Sequence, residues 1–416
     1  MIQTLRGTKD IVGSEIFYWH HLETIARELL RRANYQEIRT PILEATELFA
    51  RGIGETTDIV NKEMYTFLSK GEESITLRPE GTAGVVRAYI QNKLQGIQRL
   101  WYMGQMFRYE RPQKGRQRQF HQLGLELIGS ADPRADGEAI ALAYEILQAL
   151  GLQNLLVSLN SVGDHTDRMG YRGALVDYFT PYLADLDPDS QQRLQRNPLR
   201  ILDSKDPKTQ TICQSAPNIW DYLQPESRRR FDRVQALLTD LKVKFRLEPR
   251  LVRGLDYYTH TAFEIQSQDL GAQSAVCGGG RYDRLVAELG GTDTPAVGWA
   301  MGLERLILLL ENLQTLNPPP IDFYIVSRGE RAESYALVVW QQLRQAGFQV
   351  EMDLTGAKFD KQLKRADHAS AKAAIILGDS EADNHTLQVK WLGEGRQETT
   401  TIEDLFTRLA PRKNHD

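Results

Sequence analysis

The residues best suited to chemistry in this chain are Arg253, Gly254, Leu255, Asp256, Tyr257 and Tyr258, which open the stretch Leu251 to Ile265. Arg253 supplies a permanent planar cation, and the two tyrosines supply flat rings with hydroxyls able to hydrogen-bond a small polar substrate. Gly254 admits close approach of backbone or ligand. Thr261, Phe263 and Ile265 then alternate as in a strand, so the segment reads as a pocket wall. A plain strand with a solvated arginine and core tyrosines would carry the same letters.

Phe107 to Gly129 forms a second constellation. Alternating residues lead into a loop holding Arg108, Arg111, Lys114, Arg116 and Arg118 against the single acid Glu110, and the alternation Leu123, Leu125, Leu127 follows. A strand, a basic loop and a returning strand suit an anion site, with Arg108 and Gln122 fixed on the strands and the loop free to reach a larger polyanion. Phe120 adds a ring on which a base could stack. A solvated basic hairpin is the alternative. Glu126 lies on the Gln122 face between leucines, where a buried acid needs a cation or donors; an imidazole-bearing or cationic substrate would supply them. Glu80, in LRPEGT, reads by itself as a surface acid. Arg305 follows Gly302 at the start of an apolar helix, where amide groups already favour phosphate.

Several chemistries find no support. The run CGGGRYD from Cys277 fits neither a phosphate-binding loop nor a dinucleotide fingerprint, and neither a GxSxG elbow nor an HExxH helix occurs. Two distant cysteines, Cys213 and Cys277, offer no disulfide framework and no zinc spacing. A net charge of -4 argues against a protein that coats nucleic acid but leaves room for a local basic surface. With 41% hydrophobic and 25% charged residues, no apolar run of spanning length and no secretory core in MIQTLRGTKD, the chain is expected in the cytoplasm, away from membranes.

At 416 residues the chain is expected to form more than one domain. An amphipathic helix is expected over 14–33 with Ser14 as its N-cap. Glu37 to Leu43 looks extended, and Pro41 confines it to a sheet edge that a second copy could cover. Strands are expected at 63–68, 75–77, 99–107 and 119–127, in a sheet whose short connections make it antiparallel. Helices follow at Thr82 to Asn92 and 136–150, the latter ended by Gly151. Residues 168 to 245, broken by six prolines and carrying Arg228 to Arg230, read as a helical insertion. Strand patterning then runs from near Phe245 to Ser274–Cys277, and the glycines 278–280 lead into a helix at Tyr282 to Leu289. Asn317 to Pro320 reads as a stiff linker. Beyond it, Asp322 to Val326, Ser334 to Ala346, Phe348 to Asp353, Lys358 to His368 and Ala373 to Leu377 alternate as strand and helix, a small α/β domain with a partly parallel sheet.

In this order the segments resemble the class II aminoacyl-tRNA synthetases, and within them the histidyl-tRNA synthetase family. YQEIRTPILEATELF is similar to motif 1, FRYERPQKGRQRQFHQLG to motif 2 and AVGWAMGLERL to motif 3, while RGLDYYT and CGGGRYD resemble two histidine-specific signatures. The resemblance implies an α+β catalytic domain over residues 1–320, with an antiparallel sheet flanked by helices and the helical insertion, and an α/β anticodon-binding domain over 321–416. It implies a homodimer joined through motif 1, ATP as a substrate with Mg2+, and histidine tRNA as partner. Arg108 and Arg253 would face the α-phosphate and Arg305 the γ-phosphate, with Glu110 and Phe120 holding adenine. Glu80, Thr82 and Gln122 would hold the amino and carboxylate groups of histidine, and Glu126, Tyr257 and Tyr258 its imidazole. Gln113 and Arg116 would meet the tRNA acceptor end. Lys358, Lys361 and Arg365 share a helical face that could approach the anticodon or simply be solvated. The rival is a regulatory paralogue of histidine biosynthesis without aminoacylation; such relatives lack the C-terminal domain and degrade the signatures, both present here. A tRNA-binding module without catalysis would not need Arg108, Arg253 and Arg305 together.

Overall fold

The computed structural model describes residues 1–54, 57–267, 275–313, 315–318 and 320–409, in two compact units, Met1–Leu316 and Asn317–Asp416. Ser274 and Pro319, expected in a strand and in the linker, lie outside the described residues.

The first unit is built on strands β1 (Gln36–Glu37), β2 (Leu43–Ala45), β3 (Tyr65–Leu68), β4 (Ser74–Leu77), β5 (Gln98–Phe107), β6 (Gln119–Ile128), β7 (Leu155–Ser161), β8 (Phe245–Leu247), β9 (Thr259–Ser267), β10 (Ala275–Arg281) and β11 (Ala296–Gly302). Eight of them form one sheet in the order β1-β5-β6-β11-β10-β9-β7-β8, and β2-β4-β3 form a small second sheet. The large sheet is antiparallel through its centre, and only the outer pairs β1·β5 and β7·β8 are parallel.

Period-two patterning gives the large sheet two different faces. Leu123, Leu125 and Leu127 of β6, with Val297, Trp299 and Met301 of β11, join a core with Trp19, Leu22 and Leu30 of the helix Glu15–Arg32 and Ile140 and Leu147 of the helix Pro133–Ala149. The alternate residues face the other way. Gln122, Gly124 and Glu126 of β6 pair with Gly302, Ala300 and Gly298 of β11, and Gly278 of β10 pairs with Ala300. Small residues at successive positions on three neighbouring strands leave a trough.

Four local expectations need correction. The triple glycine lies inside β10, and the helix after it is only Leu285–Glu288. Residues 248–258 form no strand, because partners elsewhere take the carbonyls a ladder would use: Arg200 donates to the Gly254 oxygen at 2.8 Å and Arg168 to the Tyr258 oxygen at 3.0 Å. Pro41 sits between β1 and β2, which belong to different sheets, so 37–43 is not one strand. Ser14 stands at the start of the first helix without a side-chain cap, whereas Asp132 caps the helix Pro133–Ala149 by accepting from the Arg134 amide at 2.8 Å.

Within the 168–245 region a separate core gathers Tyr171, Leu175, Phe179, Leu194, Ile201 and Cys213. The helix Pro225–Asp240 instead turns Phe231, Val234 and Leu238 into the main core.

The second unit has β12 (Phe323–Ser327), β13 (Val350–Met352), β14 (Ala373–Leu377), β15 (Leu387–Trp391) and β16 (Gln397–Thr400) in the order β13-β12-β14-β15-β16. β12 is parallel to β13 and β14, and the remaining pairs are antiparallel, a partly parallel sheet. Arg365 is paired with Asp353 at 2.7 Å.

Candidate active site

Two adjoining cavities occupy the trough. The larger, about 290 Å³, lies between the basic loop and the end of β11, where Arg108, Glu110, Phe120, Arg253, Glu304 and Arg305 line it. The smaller, about 140 Å³, is lined by Glu80, Thr82, Gln122, Tyr257, Tyr258 and Tyr282. Arg108, Arg253, Gly278 and Ala300 line both. The expected residues therefore come together, with arginines at one end and acid, amide and phenols at the other.

Arg108 leaves the end of β5. Its Nε donates to the Pro79 oxygen at 2.8 Å and its guanidinium lies 5.3 Å from the Phe120 ring centre. Glu110 sits 3.8 Å from Arg108 and 3.3 Å from Arg116. Arg116 and Gln113 bridge backbone to backbone at 3.0 and 2.9 Å, closing the loop tip; Arg116 reaches the larger cavity, and Gln113 lies outside its lining. Arg305 comes from the first turn of the helix Leu303–Leu313, donating to the Ala275 oxygen at 2.9 Å. Burial lowers the Arg305 pKa, and the Arg116 charge adds to this. Two neighbouring cations at a cavity invite an anion.

Arg253 pairs with Glu264 of β9 and lies flat over Gly278. A Cβ at Gly278 would stand 2.2 Å from an Arg253 Nη atom, so the glycine is what lets the guanidinium settle between the cavities. Gly254, in contrast, has open space around an added Cβ and no unusual backbone conformation; it does not serve close approach.

The smaller cavity is a hydrogen-bonded assembly. Glu80 is buried, not a surface acid, and its two oxygens accept from the Thr82 and Ala83 amides at 2.8 Å each, at the start of the helix Thr82–Gln91. Burial raises its pKa against the pull of those amides. Glu126 accepts from the Thr82 hydroxyl at 2.7 Å and from the Tyr282 hydroxyl. Burial pushes the Glu126 carboxyl up to about 8, although both hydroxyls oppose the shift. At neutral pH its ligand-free carboxyl therefore holds a proton, and an N–H donor or cation entering the pocket would favour its ionised form. Tyr257 packs at 4.7 Å from Tyr258 and edge-on at 5.6 Å from Tyr282. Among the described residues, the buried Gln122 Oε1 and Arg253 Nε have no hydrogen-bond partner. An unpaired buried acceptor beside a half-buried guanidinium fits a small zwitterion bearing an ammonium and a carboxylate.

Three contributors went unpredicted. Tyr282 lies in the recognised segment CGGGRYD, and the need of Glu126 for a donor was the signal that could have singled it out. Gly298 is the second: its Cβ would lie 1.9 Å from Glu126 Oε2, and the alternation of Gly298, Ala300 and Gly302 with large residues was readable. Glu304 accepts from the His121 amide at 2.9 and 3.0 Å and meets the His121 ring at 2.9 Å, fixing β6 beside the larger cavity. No sequence spacing announced that contact.

A model of the histidyl-tRNA synthetase family matches residues 7–167 and 183–306, and one of an anticodon binding domain matches 322–412. This chain belongs to the histidyl-tRNA synthetase family. The histidine–tRNA ligase of Microcystis aeruginosa is 63% identical over 99% of this chain and 97% of its own, and that of Rippkaea orientalis is 64% identical over the same shares. The crystal structure of apo Staphylococcus aureus histidyl-tRNA synthetase superposes with a TM-score of 0.82 at 39% identity, covering 98% of this chain and 99% of that one. A Bacillus halodurans protein described as an ATP phosphoribosyltransferase regulatory subunit/histidyl-tRNA synthetase shares the fold, with a TM-score of 0.67 at 22% identity over 91% of this chain and 98% of its own.

Proposed function

We propose that this chain is a histidine–tRNA ligase, activating histidine with ATP and passing it to the 3′ end of histidine tRNA. The supporting observation is the pair of cavities joined at Arg108, Arg253, Gly278 and Ala300. In the first step the histidine carboxylate attacks the α-phosphorus, the bond to the β-phosphate bridge breaks, and pyrophosphate leaves. In the second, a hydroxyl of the terminal ribose attacks the acyl carbon and AMP leaves with the bonding pair.

Positioning and neutralisation of charge carry such phosphoryl transfers. Arg253 and Arg108, common to both cavities, stand where the α-phosphate and the attacking carboxylate would meet. Arg305, at the far end of the larger cavity, suits the γ-phosphate, while Phe120 and Glu110 suit the adenine face and its amino group. Gln122 Oε1 accepts from the substrate ammonium, with Glu80 and Thr82 alongside. Glu126, held by Tyr282 and Thr82, accepts from one imidazole N–H, and Tyr257 and Tyr258 wall the ring. A side chain lacking an N–H there would offer nothing to the remaining lone pairs of the buried Glu126 carboxylate beyond the Thr82 and Tyr282 hydroxyls, which is the strong form of rejection. Gln113 and Arg116, on the loop, meet the acceptor end.

Mg2+ would accompany ATP and offset phosphate charge. Among the described residues no group of three or more His, Cys, Asp or Glu side chains is placed to hold an ion alone, so its ligands would come chiefly from the phosphates. Residues 1–320 serve as the catalytic domain and 321–416 as the anticodon-binding domain. Ile42, Leu43, Phe67 and Leu68 remain exposed in and beside the small sheet, apolar surface that a second copy would cover in a homodimer. No described helix is long and apolar enough to cross a membrane, and the proposed reaction belongs in the cytoplasm. Full-length relatives above 60% identity that carry the ligase name favour aminoacylation over the regulatory role. Charging of histidine tRNA with labelled histidine tests the reading: acid-precipitable label is expected, and its absence with well-folded protein would exclude the ligase.

A further inference from the structure

The largest of the cavities described for this chain, about 430 Å³, lies outside the active site, between the insertion and the loop of residues 254–258. The helix His165–Phe179 presents His165, Arg168 and Arg172 to it from one face, Arg196 also lines it, and Tyr257 is shared with the smaller active-site cavity. Two acids also line it, but both are engaged: Asp256 with Arg200 at 3.1 Å and Glu288 with Arg284 at 3.8 Å.

The three remaining arginines have no ion pair among the described residues. Arg168 donates only to backbone oxygens, of Tyr258 at 3.0 Å and Asp256 at 3.5 Å, and Arg172 only to that of Gln195 at 2.8 Å. Carbonyl dipoles satisfy N–H groups without cancelling their charge. Asp256 and Glu288 offset part of the Arg168 charge, but four arginines against two acids leave the lining net positive, and planar forks such as those of Arg172 and Arg196 match phosphate oxygens.

We propose that this cavity is a phosphate-binding site, taking either a phosphodiester of an RNA backbone or a free phosphate anion on Arg168, Arg172 and Arg196. It is separate from the ATP cavity, since the residues lining the two do not overlap. Its position gives it a direct hold on the catalytic loop: Arg168 is bonded to the carbonyls of that loop, Asn197 donates to Asp256 at 3.0 Å, and Tyr257 forms a wall of both pockets. The proposal needs no assumption about the amino acid activated, so its failure and that of the ligase reading are distinguishable.

The test uses the full chain with histidine and a non-hydrolysable ATP analogue filling the active site. Binding of inorganic phosphate and of an RNA acceptor duplex lacking its single-stranded 3′ end is measured for wild type, for R172E/R196E, and for R229E on an exposed helix face as the control. The double substitution is expected to weaken at least one probe roughly ten-fold relative to R229E, and to lower the salt slope of RNA binding by about 2 if the ligand is a backbone phosphate. Loss of RNA binding identifies a phosphodiester, and loss of inorganic phosphate binding alone identifies a free anion. Should R172E/R196E melt differently from wild type, R172Q/R196Q is used with the same criteria. Equal binding of both probes by the cavity variant and R229E would overturn the proposal.

Discussion

The Arg253 guanidinium rests on the bare Cα of Gly278, so closely that a methyl group there would lie 2.2, 2.5 and 2.6 Å from its Nη2, Cζ and Nη1 atoms. The clash is with the movable end of a long side chain, not with backbone. Gly278→Ala should therefore fold normally and displace Arg253. Single-turnover adenylate formation is expected to fall about ten- to a hundred-fold, as when a preorganised group is misplaced. A variant with the wild-type rate and an unchanged melting curve would mean that this seat of Arg253 does not matter to chemistry.

Glu126 ties stability to pH. Its folded pKa, about 8, lies well above the unfolded carboxylate range, so the native state keeps a proton that the unfolded chain releases. The resulting stabilisation is complete below the unfolded pKa of about 4.5 and is lost as pH rises through about 8. The ligand-free protein should thus melt at progressively lower temperature between about pH 5 and pH 8, and Glu126→Gln should lessen that slope. Parallel Tm profiles for the two proteins would refute the assignment.

Asp136 and Arg281, both fully buried, meet at 2.5 Å, and Arg230 approaches the same carboxylate at 3.4 Å. Removing one partner of such a pair leaves an uncompensated buried charge, which costs about 3–5 kcal/mol. Asp136→Ala should lower the urea midpoint accordingly without altering m, whereas a change below about 1 kcal/mol would show that the remaining carbonyl acceptors and Asp283 suffice.

The sheet was legible where period-two alternation ran long, as in β5 and β6, because one face of each is buried against helices. That alternation also puts Gln122 and Glu126 on a common face. Gly278 to Gly280 misled because glycine usually marks turns, whereas here absent side chains create the floor on which Arg253 and the substrate would lie. Glu80 misled for a related reason: its burial depends on the free amides of Thr82 and Ala83, and local sequence gives no sign that the helix start faces inward. The segment 253–258 carries strand-like residues, yet Arg168 and Arg200 of the insertion hold its carbonyls, a tertiary effect that propensity does not encode.

Histidine-dependent exchange of label between pyrophosphate and ATP, with Mg2+ present, tests the central claim most directly. The account predicts exchange with histidine and not with other amino acids, and a roughly 100- to 1000-fold slower single-turnover rate for Arg253→Ala, as for loss of one charge-stabilising donor. Absence of exchange with histidine, or an unchanged rate in Arg253→Ala, would contradict it.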